Sequence, residues 1–268
     1  MARSVLLQDK SAVVFGAGGS IGAAVAKELA FQGAEVFLSG RHEASVKKVR
    51  KEIADTGGLA HAHVVDALDA AAVDEYVKSV VHQTGSIDIE FNATGPRVGE
   101  YGNTKPVVDL AIEEFMIPMN TVLRSNFITA RAAASQMLKQ GSGVIIFLTG
   151  SPARPHGPGT SGIGAANGAI ENLTRTLAIE LGPAGVRVVC LRTAANPDTR
   201  TIQETCEALG KLMNITPDQA AAALAEGTML KVSPHTTDTA RGVAFLASDS
   251  AAMVTGAVLN ASAGIVTD

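Results

Sequence analysis

The sequence predicts an α/β fold, a single domain built on a doubly wound parallel sheet. Three observations predict it. Short β-rich runs alternate with longer helical patterns along the whole chain, most of these runs are continuously apolar, and the first run leads into a glycine-rich turn. Continuously apolar strands are typical of parallel sheets that helices cover on both faces. In such a sheet, ligands bind at the carboxyl ends of the strands.

The predicted elements follow one another without an interdomain linker. Amphipathic stretches at 21–31 and 70–81 are long enough for crossover helices between parallel strands. A chain of 268 residues fits one large domain, here residues 1–268. The strands are predicted at residues 12–15, 35–39, 60–65, 87–91, 144–149, 186–191 and 257–260.

The composition argues against several classes of partner. The chain is 46% hydrophobic and 18% charged, which allows a sizeable core, and its net charge of −4 gives no electrostatic reason for a nucleic-acid or membrane partner. No run reaches the length of a membrane span or of a signal peptide. The histidines show no ligand spacing, so no metal site is predicted. Two cysteines, Cys190 and Cys206, make no disulfide framework, and we expect a cytoplasmic protein.

Gly16, Gly18 and Gly22 lie in the turn G-A-G-G-S-I-G between the first strand and the first helix. Glycines here permit a tight turn and let backbone N–H groups approach a pyrophosphate at the positive end of the helix. The strand before the turn and the helix after it favour a Rossmann-type dinucleotide site. Any tight strand–helix connection is the alternative.

Residues 196–234 do not follow the regular alternation of predicted strands and helices. They contain short helical patches broken by Pro217 and Gly227. An irregular surface insertion is one interpretation. A long connection over the ligand edge of such a sheet is usually functional, so we predict a substrate lid.

Residues 162–181, G-I-G-A-A-N-G-A-I-E-N-L-T-R-T-L-A-I-E-L, resemble the catalytic helix of the short-chain dehydrogenase/reductase family. The glycine-rich turn resembles that family's T-G-x-x-x-G-x-G, with Phe15 and Ser20 at two of its positions. Asp66 after the third strand, N-A-T-G at 92–95 and A-R-G-V-A-F-L-A-S-D-S-A-A-M-V-T-G near the last strand match further family motifs in order. The resemblance covers essentially the whole chain.

The resemblance implies a nicotinamide cofactor, a small-molecule substrate and a homodimer or homotetramer. The cofactor-binding residues that it implies are Gly16, Gly18, Ser20, Ile21, Gly22, Arg41, Asp66, Ala67, Asn92, Ala93, Thr94, Gly95, Asn167 and Thr193.

The end of the second strand bears on the choice of cofactor. A carboxylate there would bind the ribose 2′-hydroxyl of NAD and repel a 2′-phosphate, but Gly40 holds that position and Arg41 follows. Arg41 can pair with a 2′-phosphate, with His42 assisting, or it is an ordinary solvated arginine. Because the carboxylate is also missing, we predict NADP(H) rather than NAD(H).

The family reduces carbonyls with a Ser, a Tyr, a Lys and an Asn, and this sequence changes all four positions when it is aligned with the family. The helix match puts Ile163 at the Tyr position and Asn167 at the Lys position, and the family's interval back to the Ser reaches Gly150. Val122 holds the Asn position, although a small bulge would restore Asn120. A missing general acid typically costs a factor of about 10²–10⁴ in rate.

Several residues are candidates to replace the missing groups. Ser151 adjoins the serine position, His156 lies in the following loop and titrates near neutral pH, and Tyr101 follows N-A-T-G. Each also has a non-catalytic interpretation. Ser151 can be a loop-capping hydroxyl, His156 an exposed histidine and Tyr101 an anchoring aromatic. Asn167 can still hydrogen-bond a ribose hydroxyl. Arg192 binds an anionic substrate group or is simply ion-paired.

Three functions remain open from the sequence. The first is an NADP(H)-dependent oxidoreductase with a non-standard active site, which acts on an iminium or a conjugated C=C rather than a simple ketone. The second is a catalytically inactive cofactor-binding or sensing protein. The third is a different reaction, such as a dehydration or cyclisation, in the same pocket. The fold alone cannot separate them, and we favour the first.

Overall fold

A computed structural model describes residues 5–154 and 157–268. It contains a seven-stranded sheet, all parallel, in the order β3-β2-β1-β4-β5-β6-β7. This confirms the predicted doubly wound α/β fold, since the sheet reverses its strand order beside β1. The strands are β1 Ser11–Phe15, β2 Glu35–Gly40, β3 Ala60–Val64, β4 Ile89–Asn92, β5 Gly143–Gly150, β6 Val186–Thr193 and β7 Val258–Ala261.

Helices form most of the connections between strands. A π-helical turn, Met119–Leu123, joins the helix Ile112–Pro118 to the helix Arg124–Gln140. The α-helices are α1 Ser20–Phe31, α2 Glu43–Asp55, α3 Ala70–Thr84, α4 Ile112–Pro118, α5 Arg124–Gln140, α6 Ser161–Leu181, α7 Arg200–Met213, α8 Pro217–Glu226 and α9 Thr236–Ala247.

The predicted strands are all present, with small shifts at their ends. The fourth strand was predicted from residue 87, but β4 begins at Ile89. Before it, the carboxylate of Asp88 accepts hydrogen bonds from the amide (2.9 Å) and the hydroxyl (3.1 Å) of Ser11. This side-chain contact fixes the start of β1 against the lead-in to β4, which hydrophobicity alone cannot show.

Two apolar layers cover the sheet. One layer contains Val25 and Leu29 of α1 together with residues of α2 and α9, and the other contains Ile128 of α5 and Ile170 of α6 together with residues of α3. Strands covered on both faces explain why most strand segments are continuously apolar. Cys190 and Cys206 are both buried and free.

Residues 196–234 contain α7 and α8. The break between them is as the sequence predicts, because α7 ends at Met213, Asn214 caps it in the left-handed conformation (φ 53°), and Pro217 begins α8. Proline is favoured at the first position of a helix, where its missing N–H leaves no bond unmade. The role of this segment as a lid stays a prediction. Among the described residues, no helix is both long enough and apolar enough to cross a membrane.

Candidate active site

The parallel register places the predicted site residues along one edge of the sheet. Phe15, at the end of β1, pairs with Asn92 of β4, and Gly150, at the end of β5, pairs with Thr193 of β6. The turns after these strands therefore open on the same side. This edge, from the glycine-rich turn to the end of β6, is the candidate active site.

The glycine-rich turn is a close approach of backbone to backbone. Gly16 has a φ of +69°, and a Cβ on it would lie 2.9 Å from the carbonyl carbon of Ala93 and from the amide nitrogen of Thr94. A Cβ on Gly22 would collide with the carbonyl oxygen of Gly16. The turn therefore requires glycine at both positions, and it leads directly into the N-terminus of α1, which attracts an anion.

Asn92 fixes the turn after β4. Its side-chain oxygen accepts a 2.7 Å hydrogen bond from the amide of Thr94, and its Nδ2 donates to Thr129 of α5 at 3.1 Å and to Ser125 at 3.4 Å. Because Asn92 is buried, these bonds hold the backbone at Ala93 against Gly16. The structure thus brings two of the family-like motifs, the glycine-rich turn and N-A-T-G, into contact.

The ends of β2 and β3 lie beside the same turn. A Cβ on Gly40 would be 3.9 Å from the amide nitrogen of Gly18, so residue 40 borders the glycine-rich turn. Arg41 is exposed and forms no ion pair within residues 5–154 and 157–268. After β3, the Oδ1 of Asp66 accepts a 3.0 Å hydrogen bond from the amide of Leu68, and Ala67 is buried beside it.

The structure brings together Gly150 and Asn167, the two residues that the alignment with the family assigns to its Ser and Lys positions. A Cβ on Gly150 would lie 3.5 Å from the Nδ2 of Asn167, which is 5% exposed on α6. Ile163, one turn earlier on α6, packs against the hydrophobic layer formed with α5 and α3. The alignment with the family predicts that these catalytic positions lie close together. The short distance between Gly150 and Asn167 is consistent with that prediction.

Val122 and Asn120, the two residues that the alignment offers for the Asn position, lie in the π-helical turn Met119–Leu123. The turn makes the helix irregular here, as the alternative with Asn120 requires, yet Val122 is buried and Asn120 is exposed. The carbonyl oxygen of Val122 accepts hydrogen bonds from Asn126 Nδ2 (2.8 Å) and Ser125 Oγ (3.2 Å). This carbonyl is therefore already engaged by side chains of α5.

The candidate replacement groups lie in different settings. Ser151 is buried, directly after β5, and begins a short 3₁₀ turn. Tyr101 is buried near α7, where burial and the charge of Glu204 raise the pKa of Tyr101 to about 12. A phenol with this pKa stays protonated near neutral pH, which fits an anchoring aromatic better than a proton shuttle. His156 lies outside the described residues.

Thr193, expected beside the cofactor, faces α9 with its hydroxyl. Its Oγ1 lies 3.0 Å from the Oγ1 of Thr239, and Asn196 lies close to both hydroxyls. Asn196 also donates a 2.7 Å hydrogen bond to the carbonyl of Pro234. These contacts fasten the two ends of the 196–234 segment to one another at the end of β6.

Arg192 is ion-paired, one of the two alternatives that the sequence leaves open. It is 0% exposed, its Nε lies 2.7 Å from the Oε1 of Glu171, and its Nη2 lies 2.8 Å from the Oε2. Its Nη1 lies 2.5 Å from Asp268. These bonds raise the pKa of Arg192 and lower that of Asp268, so both stay charged.

Three long connections meet over this edge. The amide of Thr104, after β4, donates a 2.8 Å hydrogen bond to the carbonyl of Gly159, after β5. The Nδ2 of Asn103 lies 3.4 Å from the Oγ1 of Thr205 in α7. Segments after β4, β5 and β6 are thereby tied together, a pairing that no sequence signal predicted.

Comparison with known proteins agrees with this geometry. A family model described as enoyl-(acyl carrier protein) reductase matches residues 16–266. The chain is 32% identical over 269 residues to L-rhamnose 1-dehydrogenase (NAD(P)(+)) of Azotobacter vinelandii, with 97% of this chain and 98% of that protein covered. It is 30% identical over 257 residues to the short-chain reductase protein NovJ of Streptomyces niveus, with 96% and 94% covered.

The chain belongs to the short-chain dehydrogenase/reductase family. It is an oxidoreductase of that family by these relationships. A solved structure of a dehydrogenase/reductase from Sinorhizobium meliloti 1021 superposes with a TM-score of 0.83 at 29% identity, and covers 98% of each chain. The predicted fold and family are thus both confirmed.

The sequence analysis did not predict which residues pair with Arg192. Glu171 follows Asn167 by one helical turn, so the helical spacing places both on one side of α6, and that signal was available. Asp268 and Arg154 gave no such signal. Asp268 lies 76 residues beyond Arg192, and Arg154 lies in the turn after β5. Only the folded chain brings these residues together.

Proposed function

We propose that this protein is an NADP(H)-dependent oxidoreductase that transfers hydride to or from a small organic substrate at a non-standard active site. One observation carries the proposal. Gly150 and Asn167 face each other at the carboxyl edge of the sheet, the same edge at which the glycine-rich turn brings Gly16 close to Ala93. This arrangement supports a dinucleotide cradle at the same edge as two facing positions that offer no acid.

The residues fit a dinucleotide. The glycine-rich turn packs its backbone against Ala93, and it leads into the N-terminus of α1, where backbone amides favour a pyrophosphate. Asp66 uses one carboxylate oxygen on the Leu68 amide, so its other oxygen is available to a donor on the adenine. When bound, the nicotinamide supplies or accepts the hydride.

The proposed site determines which substrates are suitable. Isoleucine at 163 has no proton to give, and the neutral amide of Asn167 cannot lower the pKa of a neighbour by charge. Asn167 can orient a ribose hydroxyl. A substrate that needs no proton on the reacting atom suits these residues. Hydride addition to an iminium carbon forms one C–H bond and leaves a neutral amine, so no alkoxide must be protonated. A conjugated C=C is the other class, with water supplying the later proton.

The preference for NADP(H) is supported by the residues after β2. Gly40 presents no carboxylate toward the ribose, and Arg41 is exposed and unpaired within the described parts of the chain. An unpaired guanidinium can form charge-assisted hydrogen bonds with a 2′-phosphate.

The alternative is a protein that binds NADP(H) without turnover, as a sensor of the cofactor pool. The high pKa of Tyr101, about 12, favours this alternative because it removes that phenol as a ready acid. We also propose a homodimer or homotetramer in the cytoplasm, with a small-molecule substrate and no nucleic-acid or membrane partner.

A titration followed by turnover assays on the same sample tests the proposal. NADPH and NADH are titrated first, and we expect tighter binding of NADPH. Oxidation of NADPH is then measured with ketone, iminium and enone panels, and we expect turnover of iminium or enone substrates. Binding without any turnover would favour the sensor, and no binding of either dinucleotide would overturn both functions.

A further inference from the structure

Two arginines converge on one carboxylate beside the candidate active site. Arg192 lies in β6, opposite Thr149 of β5, and Arg154 follows the short turn after β5. The Nη1 of Arg192 lies 2.5 Å from the Oδ1 of Asp268, and the Nη2 of Arg154 lies 3.6 Å from the same oxygen. Two cations from neighbouring strand ends thus meet at a single anionic group.

The charges of this cluster do not balance without Asp268. The carboxylate of Glu171 accepts hydrogen bonds from the Nε and Nη2 of Arg192 and neutralises the charge of that guanidinium. Arg154 then remains as one net positive charge. The Nη1 of Arg192, which Glu171 does not bind, and the guanidinium of Arg154 are both directed to the place that Asp268 fills, so this place attracts one negative charge.

Asp268 is held by little else. Val266, two residues earlier, is buried, and its carbonyl accepts hydrogen bonds from Asn260 Nδ2 (2.9 Å) and Ser262 Oγ (3.4 Å). Thr267 and Asp268 are exposed, and the Asp268 side chain is 52% accessible. Within the described residues, its ion pairs are those with Arg192 and Arg154. The firm attachment of this segment therefore ends at Val266.

Arg154 has an unused donor. Its Nε is buried and has no hydrogen-bond partner among the residues that the structure describes. A buried donor without an acceptor is costly, and Asp268 reaches only one other nitrogen of this guanidinium. A carboxylate with freer placement than a tethered side chain can accept from Nη1 of Arg192 with one oxygen and from Arg154 with the other.

We propose that Arg192 and Arg154 form a binding site for the carboxylate of a small monocarboxylic acid, and that Asp268 occupies this site when no acid is bound. The site adjoins the candidate active site, since Arg192 directly precedes Thr193 and Glu171 lies one helical turn beyond Asn167. The single net positive charge matches a monoanion rather than a phosphate. Neither coenzyme nor turnover is needed, so the site is independent of the proposed function.

Titration with acetate tests the site directly. Asp268→Asn removes the competing charge and keeps the size of the side chain, and acetate binding is followed by ligand-observed NMR at constant ionic strength. We expect Asp268→Asn to bind acetate at least tenfold more tightly than the unmodified protein. Acetamide, the neutral analogue, should not bind to either. Asp55→Asn, which removes an exposed aspartate paired with Lys51 on α2, is the matched control and should leave acetate binding unchanged.

A second variant tests whether Arg154 binds the acetate. Arg154→Gln in the Asp268→Asn background should weaken acetate binding at least tenfold, and circular dichroism should show the same fold. Equal acetate binding in Asp268→Asn and in the unmodified protein would overturn the proposal. So would binding that does not depend on Arg154. Phosphate binding as tight as that of acetate would overturn the assignment to a monocarboxylate.

Discussion

Arg192 and Glu171 form a two-pronged ion pair between β6 and α6, with N–O distances of 2.7 and 2.8 Å and no exposed surface on the arginine. The pair joins the strand that ends at the candidate site to the helix that carries Asn167. It therefore positions two elements of the site relative to one another, besides neutralising two buried charges.

Breaking this pair should be costly. Glu171→Ala leaves the guanidinium of Arg192 buried with Asp268 as its one remaining counter-charge among the described residues, and we expect a loss of about 3–5 kcal/mol in the free energy of unfolding. The double replacement Glu171→Leu with Arg192→Leu should lose much less than Glu171→Ala, because no charge is left unpaired. Chemical denaturation of both variants measures the difference. Equal losses would show that packing, not charge, dominates.

Gly22→Ala should disrupt the cofactor cradle. The added Cβ would collide with the carbonyl oxygen of Gly16, so the turn must shift. We expect a destabilisation of about 1–3 kcal/mol and weaker binding of NADPH, measured by denaturation and by fluorescence titration. Gly182→Ala is the control, because a Cβ there meets nothing within 4 Å. Unchanged NADPH affinity in Gly22→Ala would separate the turn from the cofactor.

Arg41→Ala tests the choice of cofactor. Because Arg41 is proposed to pair with the 2′-phosphate, we expect weaker binding of NADPH and unchanged binding of NADH. Arg50→Ala, which removes an exposed arginine from α2, should leave both affinities unchanged. An equal loss for both cofactors in Arg41→Ala would refute the assignment to the 2′-phosphate.

Restoring the family's residues tests the alignment at the catalytic positions. Gly150→Ser, Ile163→Tyr and Asn167→Lys together should raise ketone reduction by a factor of about 10²–10⁴, the usual contribution of a general acid. The Cβ of the new serine would lie 3.2 Å from Pro152 Cδ, a tight contact that needs a small shift of the turn. Gly150→Ser alone should not restore activity. Ketone reduction by the unmodified protein at the rate of the triple variant would contradict the proposal.

Glu90 makes stability depend on pH. It is fully buried in β4, and burial raises its pKa from 4.5 to about 8, with Thr129 offsetting part of the rise. A carboxyl with a raised pKa favours the folded state below 4.5, and this contribution is lost as the pH rises from about 4.5 toward 8.

Glu90→Gln removes this titration. Relative to the unmodified protein, the variant should gain up to about 1.4 kcal/mol in the free energy of unfolding per pH unit between pH 5.5 and 7.5. Denaturation of both proteins at the two pH values measures this gain, and other groups cancel in the comparison. A constant difference between the two proteins would show that Glu90 does not titrate in this window.

The sequence by itself determined the sheet, its crossover helices and the glycine-rich turn. Apolar periodicity and glycine spacing are local properties, and they depend on what each segment must bury or how it must turn. The resemblance to the family, and not these local signals, assigned Asn92, Gly150 and Asn167 to the candidate site.

Only the tertiary structure decided the electrostatics of the site. The sequence left Arg192 either ion-paired or bound to an anionic substrate. Its partners Glu171 and Asp268 come from a helix and from a distant segment, and the burial of Glu90 depends on α5 packing over β4. Charge pairing and desolvation depend on distances between residues far apart in the chain. Charge pairing and desolvation are determined when the helices pack on the sheet, so no local sequence pattern predicts them.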